Sequence, residues 1–377
     1  MKHLSIDPSK TEAPTRDHPH GQQHPESLPE AKEIKAHPTG AGAGGENASL
    51  FFVGTATTIL EWEGIRLMTD PNFLHAGDHA HLGPGVTATR VTNPAVDLHD
   101  LPRIDVVLLS HYHADHFDQK VEESLRRTLP IITTPHAKGC LQSKGPEESF
   151  SEVFDLDFFD SMMVDVVKSD GGDRAPAIKI TGMPGKHVPP GVLSIANDLL
   201  KAVPPTNGWM VELGYTKRGQ GDASFENGYR WVYNFSIPLS LKRHCTKIEA
   251  PGSKLFEYGP LANSTSIYIS GDTLMIPELK EIPQRYAGQN IDLMLIHLGG
   301  TTIPSPSIPL LMVTMDAKQG IELVRLINPD VTIPIHYDDY DAFLSPLSDF
   351  KKEIEAAGLT EKVVYLDRKD QYKFSVK

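Results

Sequence analysis

Residues Ile104–Asp118 read IDVVLLSHYHADHFD: a short apolar run, then His111, His113, Asp115 and His116 within six residues. An apolar run of this length between polar residues predicts a strand buried on both faces. Three imidazoles and a carboxylate leaving the end of such a strand can converge on a metal ion from both sides of a turn, so metal binding is the favoured reading. Beyond them, Asp118 is placed to cap a helix whose stripe Val121, Leu125 and Leu129 runs as far as Pro130.

Zinc-like ions need three or four N/O ligands each, and a catalytic ion keeps one position for water, so a single cluster seldom completes a site. Other His and Asp residues directly after apolar strands therefore matter. His187 follows AIKITG, Asp272 follows SIYISG, and His336 follows VTIPI. A ligand at the end of a strand is held by rigid backbone and left open on its far side.

The remaining chain repeats this grammar. SLFFVGTATTILEW and IRLMTD are two β-rich segments, the second ending in Asp70-Pro71, and Asn72–Leu101 is a Gly-, Pro- and His-rich loop. AIKITGMPG, WMVELGY, RWVYNFSI, SIYISGD, DLMLIHLGG, VTIPIHY, KVVYLD and YKFSV are further strand candidates. Ala317–Ile327 and Asp349–Ala357 are helix candidates, with Asp316 capping the first. Strands interleaved with helices imply an α/β class of stacked sheets covered by helices. Residues 1–46, polar, with six Pro, five His and a Gly-Ala run, predict a disordered arm, and residues 47–377 one catalytic domain.

Composition narrows the function. The 377 residues carry 36 Lys+Arg against 49 Asp+Glu, a net charge of −13, which repels a phosphate backbone and excludes a basic nucleic-acid footprint. Only Cys140 and Cys245 are present, so neither a disulfide framework nor a thiolate zinc cluster can form. No apolar run spans a bilayer and no signal-like segment opens the chain, so a soluble cytoplasmic protein is expected.

In this order the motifs resemble the metallo-β-lactamase superfamily, whose HxHxDH signature is matched by His111, His113, Asp115 and His116, with Asp70 upstream and His187, Asp272 and His336 downstream. The resemblance implies an αββα sandwich of two mixed sheets with a two-metal site on one edge. It implies that His111, His113 and His187 hold one ion, that Asp115, His116 and His336 hold the other, and that Asp272 bridges them. Asp70 would orient a ligand imidazole from behind. All-N/O donors point to Zn²⁺, and Mn²⁺ or Fe²⁺ fits the same set. Two such ions lower the pKa of a bridging water and stabilise charge developing on an electrophile, so hydrolysis follows, with Asp115 passing a proton to the leaving group.

Fold does not choose the substrate. Well-known β-lactamases use Cys where this chain has Asp272. GTATTILEWEGIRLMTDPNF resembles the branch of ascorbate-6-phosphate lactonase and N-acyl-phosphatidylethanolamine phospholipase D, although that branch usually reads Gly-His at Gly54-Thr55. The phospholipase also relies on a His where this chain has Thr314-Met315-Asp316, and no amphipathic basic helix is present to engage lipid. GKHVPPG and HLGPG look more like fungal-type lactamases acting on compounds of plant or environmental origin. The expected activity is therefore opening of a small lactam, lactone or cyclic carbamate, with phosphodiester hydrolysis as the alternative. A non-catalytic or oxygen-handling module of the flavodiiron kind is a third, but no flavin domain is visible.

His75, His79 and His81 lie on a lid-like stretch where they either contact substrate or are merely solvated. PPGVLSIANDLLKAVPP and HLGGTTIPSP are candidate pocket walls, and His297 either contacts substrate or is buried and hydrogen-bonded. Tyr112 and Tyr337 either donate to an oxyanion or pack.

Overall fold

In the computed structural model the chain is described except at residues 11, 18–23, 84–85, 168–173, 190, 192–196, 198–202, 218–263, 306–307 and 377; at 217, 303–305 and 308–310 only the backbone is described. The RWVYNFSI strand candidate, Trp231, His244, Cys245, His18 and His20 lie outside the described residues, as does most of the wall candidate 189–205.

Two sheets carry the fold. One has seven strands in the order Lys2–Ile6, Ser161–Val166, Arg174–Met183, Gly208–Lys217, Thr265–Ile269, Leu293–His297 and Val331–Ile335. The other has eight, in the order Val153–Asp155, Ile131–Thr133, Val106–Leu108, Ile65–Thr69, Thr57–Trp62, Ala48–Gly54, Gln371–Phe374 and Ile34–Lys35. Both mix parallel and antiparallel pairs.

Side-chain alternation along each strand separates three apolar layers. Leu50, Phe52, Leu60, Leu67, Val106 and Leu108 of one sheet face Ile178, Ile180, Val211, Leu213, Ile267 and Leu295 of the other, forming the central core. Their neighbours Phe51, Val53, Ile59, Met68 and Val107 point outward, beneath Val121 of helix Gln119–Ser124 and Ala137 and Leu141 of helix Pro135–Gln142. On the opposite outer face, Met210, Tyr268, Met294 and Ile296 pack on Ile321 and Val324 of helix Ala317–Ile327 and Phe350 and Ile354 of helix Leu347–Ala357. The result is the expected αββα sandwich. Each of these large side chains, removed from water, contributes roughly 1.5–3 kcal/mol before entropy is counted.

Topology puts six strand ends together. Ile65–Thr69 runs parallel to Val106–Leu108, so Asp70 and Ser110-His111 leave the same edge of their sheet. Thr265–Ile269, Leu293–His297 and Val331–Ile335 are mutually parallel. Arg174–Met183 is antiparallel to Gly208–Lys217, which is antiparallel to Thr265–Ile269, so it points the same way as those three. Asp272, His297, His336 and His187 therefore also share an edge.

Several expectations need correction. The stretch 1–46 is not a free arm over its described length. Lys2–Ile6 pairs in parallel with Ser161–Val166, and Ile34–Lys35 with the strand Gln371–Phe374. Backbone ladders, arginine ties and a few apolar contacts hold it: Arg103 donates to the carbonyl of Pro8, Arg126 Nε to Ala13 O (3.2 Å) and Arg16 Nε to Glu123 O (2.8 Å), while Ile6 is buried in the central core and Leu28 packs on the outer layer. Asn72–Leu101 contains a hairpin, His79–Gly83 with Val86–Thr89. SLFFVGTATTILEW is two antiparallel strands folded back at Thr55-Ala56. Asp118 caps its helix by accepting from Val121 N, yet the helix stops at Ser124; Leu125 and Leu129 are buried all the same. KVVYLD forms only an isolated bridge, Val363 to Thr332. Among the described residues, no helix is long and apolar enough to cross a membrane.

Candidate metal centre

The Val106–Leu108 strand ends in a turn fixed from below by Asp70. Its Oδ1 accepts from the backbone N (2.7 Å) and the Oγ (2.9 Å) of Ser110, and the Ser110 hydroxyl also lies 2.9 Å from His111 Nδ1. The other oxygen, Oδ2, faces His116 Nδ1 at 3.6 Å and His297 Nε2 at 3.7 Å. Asp70 thus fixes the Ser110 turn through Oδ1, while Oδ2 has no hydrogen-bond partner and, with His116 and His297, forms a further group whose ligand atoms lie within 4.8 Å of one another.

The distant candidate ligands arrive with their rings already turned. His187 Nδ1 is 2.9 Å from Val313 O, and His336 Nδ1 is 3.0 Å from Leu298 O. A carbonyl can only accept, so each ring donates there and leaves Nε2 bare toward the site. His113 is turned the other way, with Nε2 3.1 Å from Leu82 O and Nδ1 2.6 Å from Asp115 Oδ1. Asp272 follows Gly271, whose backbone is at φ +62°; a Cβ there would come within 2.2 Å of Asn207 O, so only glycine permits this turn. Asp272 Oδ2 accepts from Thr314 Oγ1 (2.8 Å) and lies 3.3 Å from His116 Nε2, while Oδ1 is 3.6 Å from His336 Nδ1. Asp70 and His336 themselves have positive φ (32° and 60°), a backbone strain found at sites where side-chain placement matters.

The seven residues named by the motif order meet. Asp115, His116, Asp272 and His336 offer ligand atoms within 4.8 Å of one another, as do His111, His113 and Asp115. His187 stands beside the second group, its ring centroid 4.5 Å from that of His111 and 6.5 Å from that of His113. All are buried except His113, whose side chain is 20% exposed and marks the solvent-facing side.

Burial penalises charge on every one of these groups. Against it, the imidazoles of His113 and His116 hold the Asp115 carboxyl well below the carboxylate range, and His336 and His116 do the same for Asp272. Asp272 and Asp115 in turn hold His116 well above the usual histidine value, and both also raise His336. Burial pushes His111 well below its usual value, helped by His116 and His187, and pushes His187 down to about 4.

Buried atoms without a hydrogen-bond partner test the donor set. They include Nε2 of His111, His116, His187 and His336 together with Asp272 Oδ1. Unpartnered nitrogens on four imidazoles around a carboxylate cost free energy in a dry interior, and divalent cations, which displace any proton there, would satisfy them. The residues fit a metal centre.

His297 is fully buried one layer behind, with Nδ1 3.3 Å from Ser270 Oγ and Nε2 facing Asp70. Of its two expected roles, the structure shows the buried, hydrogen-bonded one. His81 is not brought into the cluster: it is exposed on the hairpin, with Nδ1 3.1 Å from Thr87 Oγ1. Its neighbour Leu82 points inward with Ala80 and Ala88, packing on Leu74, Tyr340 and Ala342 beside the partly buried Ala114 and Phe343. Phe343 lies 4.5 Å from the His336 ring, so an apolar wall adjoins the site. Tyr337 packs, its hydroxyl donating to Leu366 O (3.1 Å), and Tyr112 donates to the Glu122 carboxylate. Thr314, which orients Asp272, and Asn72, which donates to Ala114 O inside the motif, were missed in the sequence; only the adjacency of Asn72 to Asp70-Pro71 hinted at either.

Residues 62–218, less than half of the chain, match the model of the Beta-lactamase superfamily domain. A UPF0173 metal-dependent hydrolase of Thermodesulfovibrio yellowstonii is 21% identical over 290 residues, 73% of this chain and 79% of that protein. One from Ignicoccus hospitalis is 28% identical over 95 residues, 25% of this chain and only 35% of that protein's length. The solved isothiocyanate hydrolase from Delia radicum gut bacteria superposes with a TM-score of 0.57 at 16% identity, covering 87% of this chain and all of that one. With these likenesses added to the four-layered sandwich and the His/Asp cluster at its edge, the chain has the metallo-β-lactamase fold, and its residues 62–218 are similar to the superfamily's domain.

Proposed function

We propose that this chain is a metal-dependent hydrolase that works with two divalent cations, with Zn²⁺ the best match to its donors, and opens a lactam, lactone or cyclic carbamate of a small molecule. The observation that carries the reading is the set of buried, partnerless Nε2 atoms on His111, His116, His187 and His336 around Asp272. His111, His113 and His187 would hold one cation, Asp115, His116 and His336 the other, and Asp272 would lie between. Bound there, the cations would acidify water and offset negative charge on the substrate's oxygen.

The chain's own residues do the rest. Val313 and Leu298 carbonyls fix the rings of His187 and His336, Thr314 fixes Asp272, and Asp70 fixes Ser110, whose hydroxyl lies 2.9 Å from His111 Nδ1. Such outer partners orient donors and exclude wrong geometries. Asp115, held ionised by its imidazole neighbours and next to the solvent-facing His113, accepts a proton from water and returns it to the leaving group. The apolar wall of Leu82, Tyr340 and Phe343 favours a small uncharged ring.

The test is metal analysis of the purified chain, followed by a panel of lactams, lactones, cyclic carbamates, phosphodiesters and an isothiocyanate, with and without chelator. About two equivalents of metal and chelator-sensitive ring opening are expected. Turnover of a phosphodiester alone would replace the ring-opening reading, and turnover indifferent to chelation would end the metal one.

A further inference from the structure

Below the metal-ligand turn lies a buried cation that belongs to neither ligand set. Arg90 is 1% exposed, yet the segment that carries it links the paired strands His79–Gly83 and Val86–Thr89 to the sandwich. Its Nη1 donates to two acceptors at 2.6 Å, Thr55 Oγ1 and Asn72 Oδ1. Each acceptor reaches a different half of the metal centre. Asn72 Nδ2 donates to Ala114 O (3.2 Å), between His113 and Asp115, and Thr55 O accepts from His336 N (2.7 Å), the backbone of the ligand with positive φ.

The guanidinium is also held through Nε, while Nη2 is buried with no hydrogen-bond partner. Nε donates to Thr92 O (3.1 Å), the group lies 5.3 Å from the centre of the Tyr340 ring, and Nη2 is 3.7 Å from Asp339 Oδ1. Asp339 is itself held by Thr55 N (2.7 Å), by the Thr92 hydroxyl and by Arg368. Gly54 leaves the room: its backbone is at φ +142°, and a Cβ there would sit 3.1 Å from Nη2.

We propose that Arg90 is a positioning residue that sets the spacing between the two ligand segments, residues 111–116 and His336, and couples that spacing to the hairpin over the site. The proposal rests on the reading of the edge as a metal centre. Both bonds leave the single nitrogen Nη1, whose two N–H groups lie at a fixed angle in the guanidinium plane and are anchored from behind by Nε on Thr92 O, whereas a lysine ammonium of equal charge has no second nitrogen to hold it in that orientation. Losing either arm loosens one ligand segment against the other without touching a ligand.

Zn²⁺ affinity, measured by competition with a chromophoric chelator, and the visible spectrum of the Co²⁺-loaded protein are compared for wild type, Arg90→Lys, Thr55→Val and Asn72→Leu, alongside the urea midpoint of each metal-free protein. Arg90→Lys is expected to weaken Zn²⁺ binding about 10- to 100-fold, the usual effect of losing an outer partner, and to alter the Co²⁺ bands. Each arm variant shows part of that loss, and these two decide the matter if Arg90→Lys does not fold. A fall in the urea midpoint with unchanged Zn²⁺ affinity and Co²⁺ spectrum overturns the proposal, because Arg90 is then a fold clasp alone. Failure of the wild type itself to bind Zn²⁺ overturns the metal reading beneath it.

Discussion

Histidine is frequent both at the ligand-bearing edge and in the surface stretches, yet the two populations have opposite fates. At the edge, His111, His116, His187 and His336 are buried with Nε2 partnerless. On the surface, His3 pairs with Asp165 (2.8 Å), His75 with Asp97 (2.6 Å) and His99 with Asp17 (3.1 Å), each imidazole close to half exposed. Water or a carboxylate satisfies a surface imidazole at little cost, and such pairs contribute little. A buried imidazole with a bare nitrogen is paid for by stability elsewhere and persists where something binds it. Histidine density therefore does not mark the site; a group of buried imidazoles with unpartnered nitrogens around shared carboxylates does, with His297, whose Nε2 is likewise unpartnered beside Asp70, at its back.

The contrast can be broken most severely at Asp272. Asp272→Ala removes the carboxylate between His116 and His336, and both bound metal and ring-opening turnover are expected to fall to background, read by elemental analysis and a hydrolysis assay; retained turnover would mean that the orphaned atoms serve no cation. A smaller effect is expected one layer back. Asp70→Asn keeps the shape but weakens the hold on Ser110, so Zn²⁺ affinity should drop about 10- to 100-fold in chelator competition, with turnover recovering at high Zn²⁺.

The surface side predicts less. Lys138 and Lys2 hold the Asp155 carboxyl below its ordinary value through hydrogen bonds of 2.8 and 3.0 Å. A depressed folded pKa gives stability that is present above the unfolded value, near 4, and lost as pH falls through the folded one. Asp155 is largely solvent-screened, so Lys138→Ala should flatten that acid limb by less than about 1 kcal/mol, as followed by urea unfolding from pH 5 to pH 2. Least of all, His99→Ala should change stability by no more than about 0.5 kcal/mol and leave the metal content as it was; a lost equivalent of metal would erase the distinction between the two populations.

Much of the site was legible because its signals are local. Three imidazoles and a carboxylate crowd one strand end, and Asp118 and Asp316 announce their helices by capping them. The rest depended on partners far along the chain. Lys2–Ile6 looks unfoldable alone and is ordered by a strand some 160 residues away, with which it shares a parallel ladder. His79–Gly83 alternates exposed and buried residues, but a Gly- and Pro-rich surrounding hid the hairpin. Thr314 and Arg90 carry no local mark at all; each matters only through what folding places beside it.

By itself the sequence determined which donors exist, that each candidate ligand segment follows an apolar strand, and that two layers of sheet would be covered by helices, because donor type, strand period and helix caps are properties of neighbouring residues. Tertiary structure alone decided which imidazoles face inward with a bare nitrogen, which histidines stay on the surface, and that one buried arginine spans both ligand segments. Those depend on strand order and direction, which are set by pairings between segments far apart in the chain.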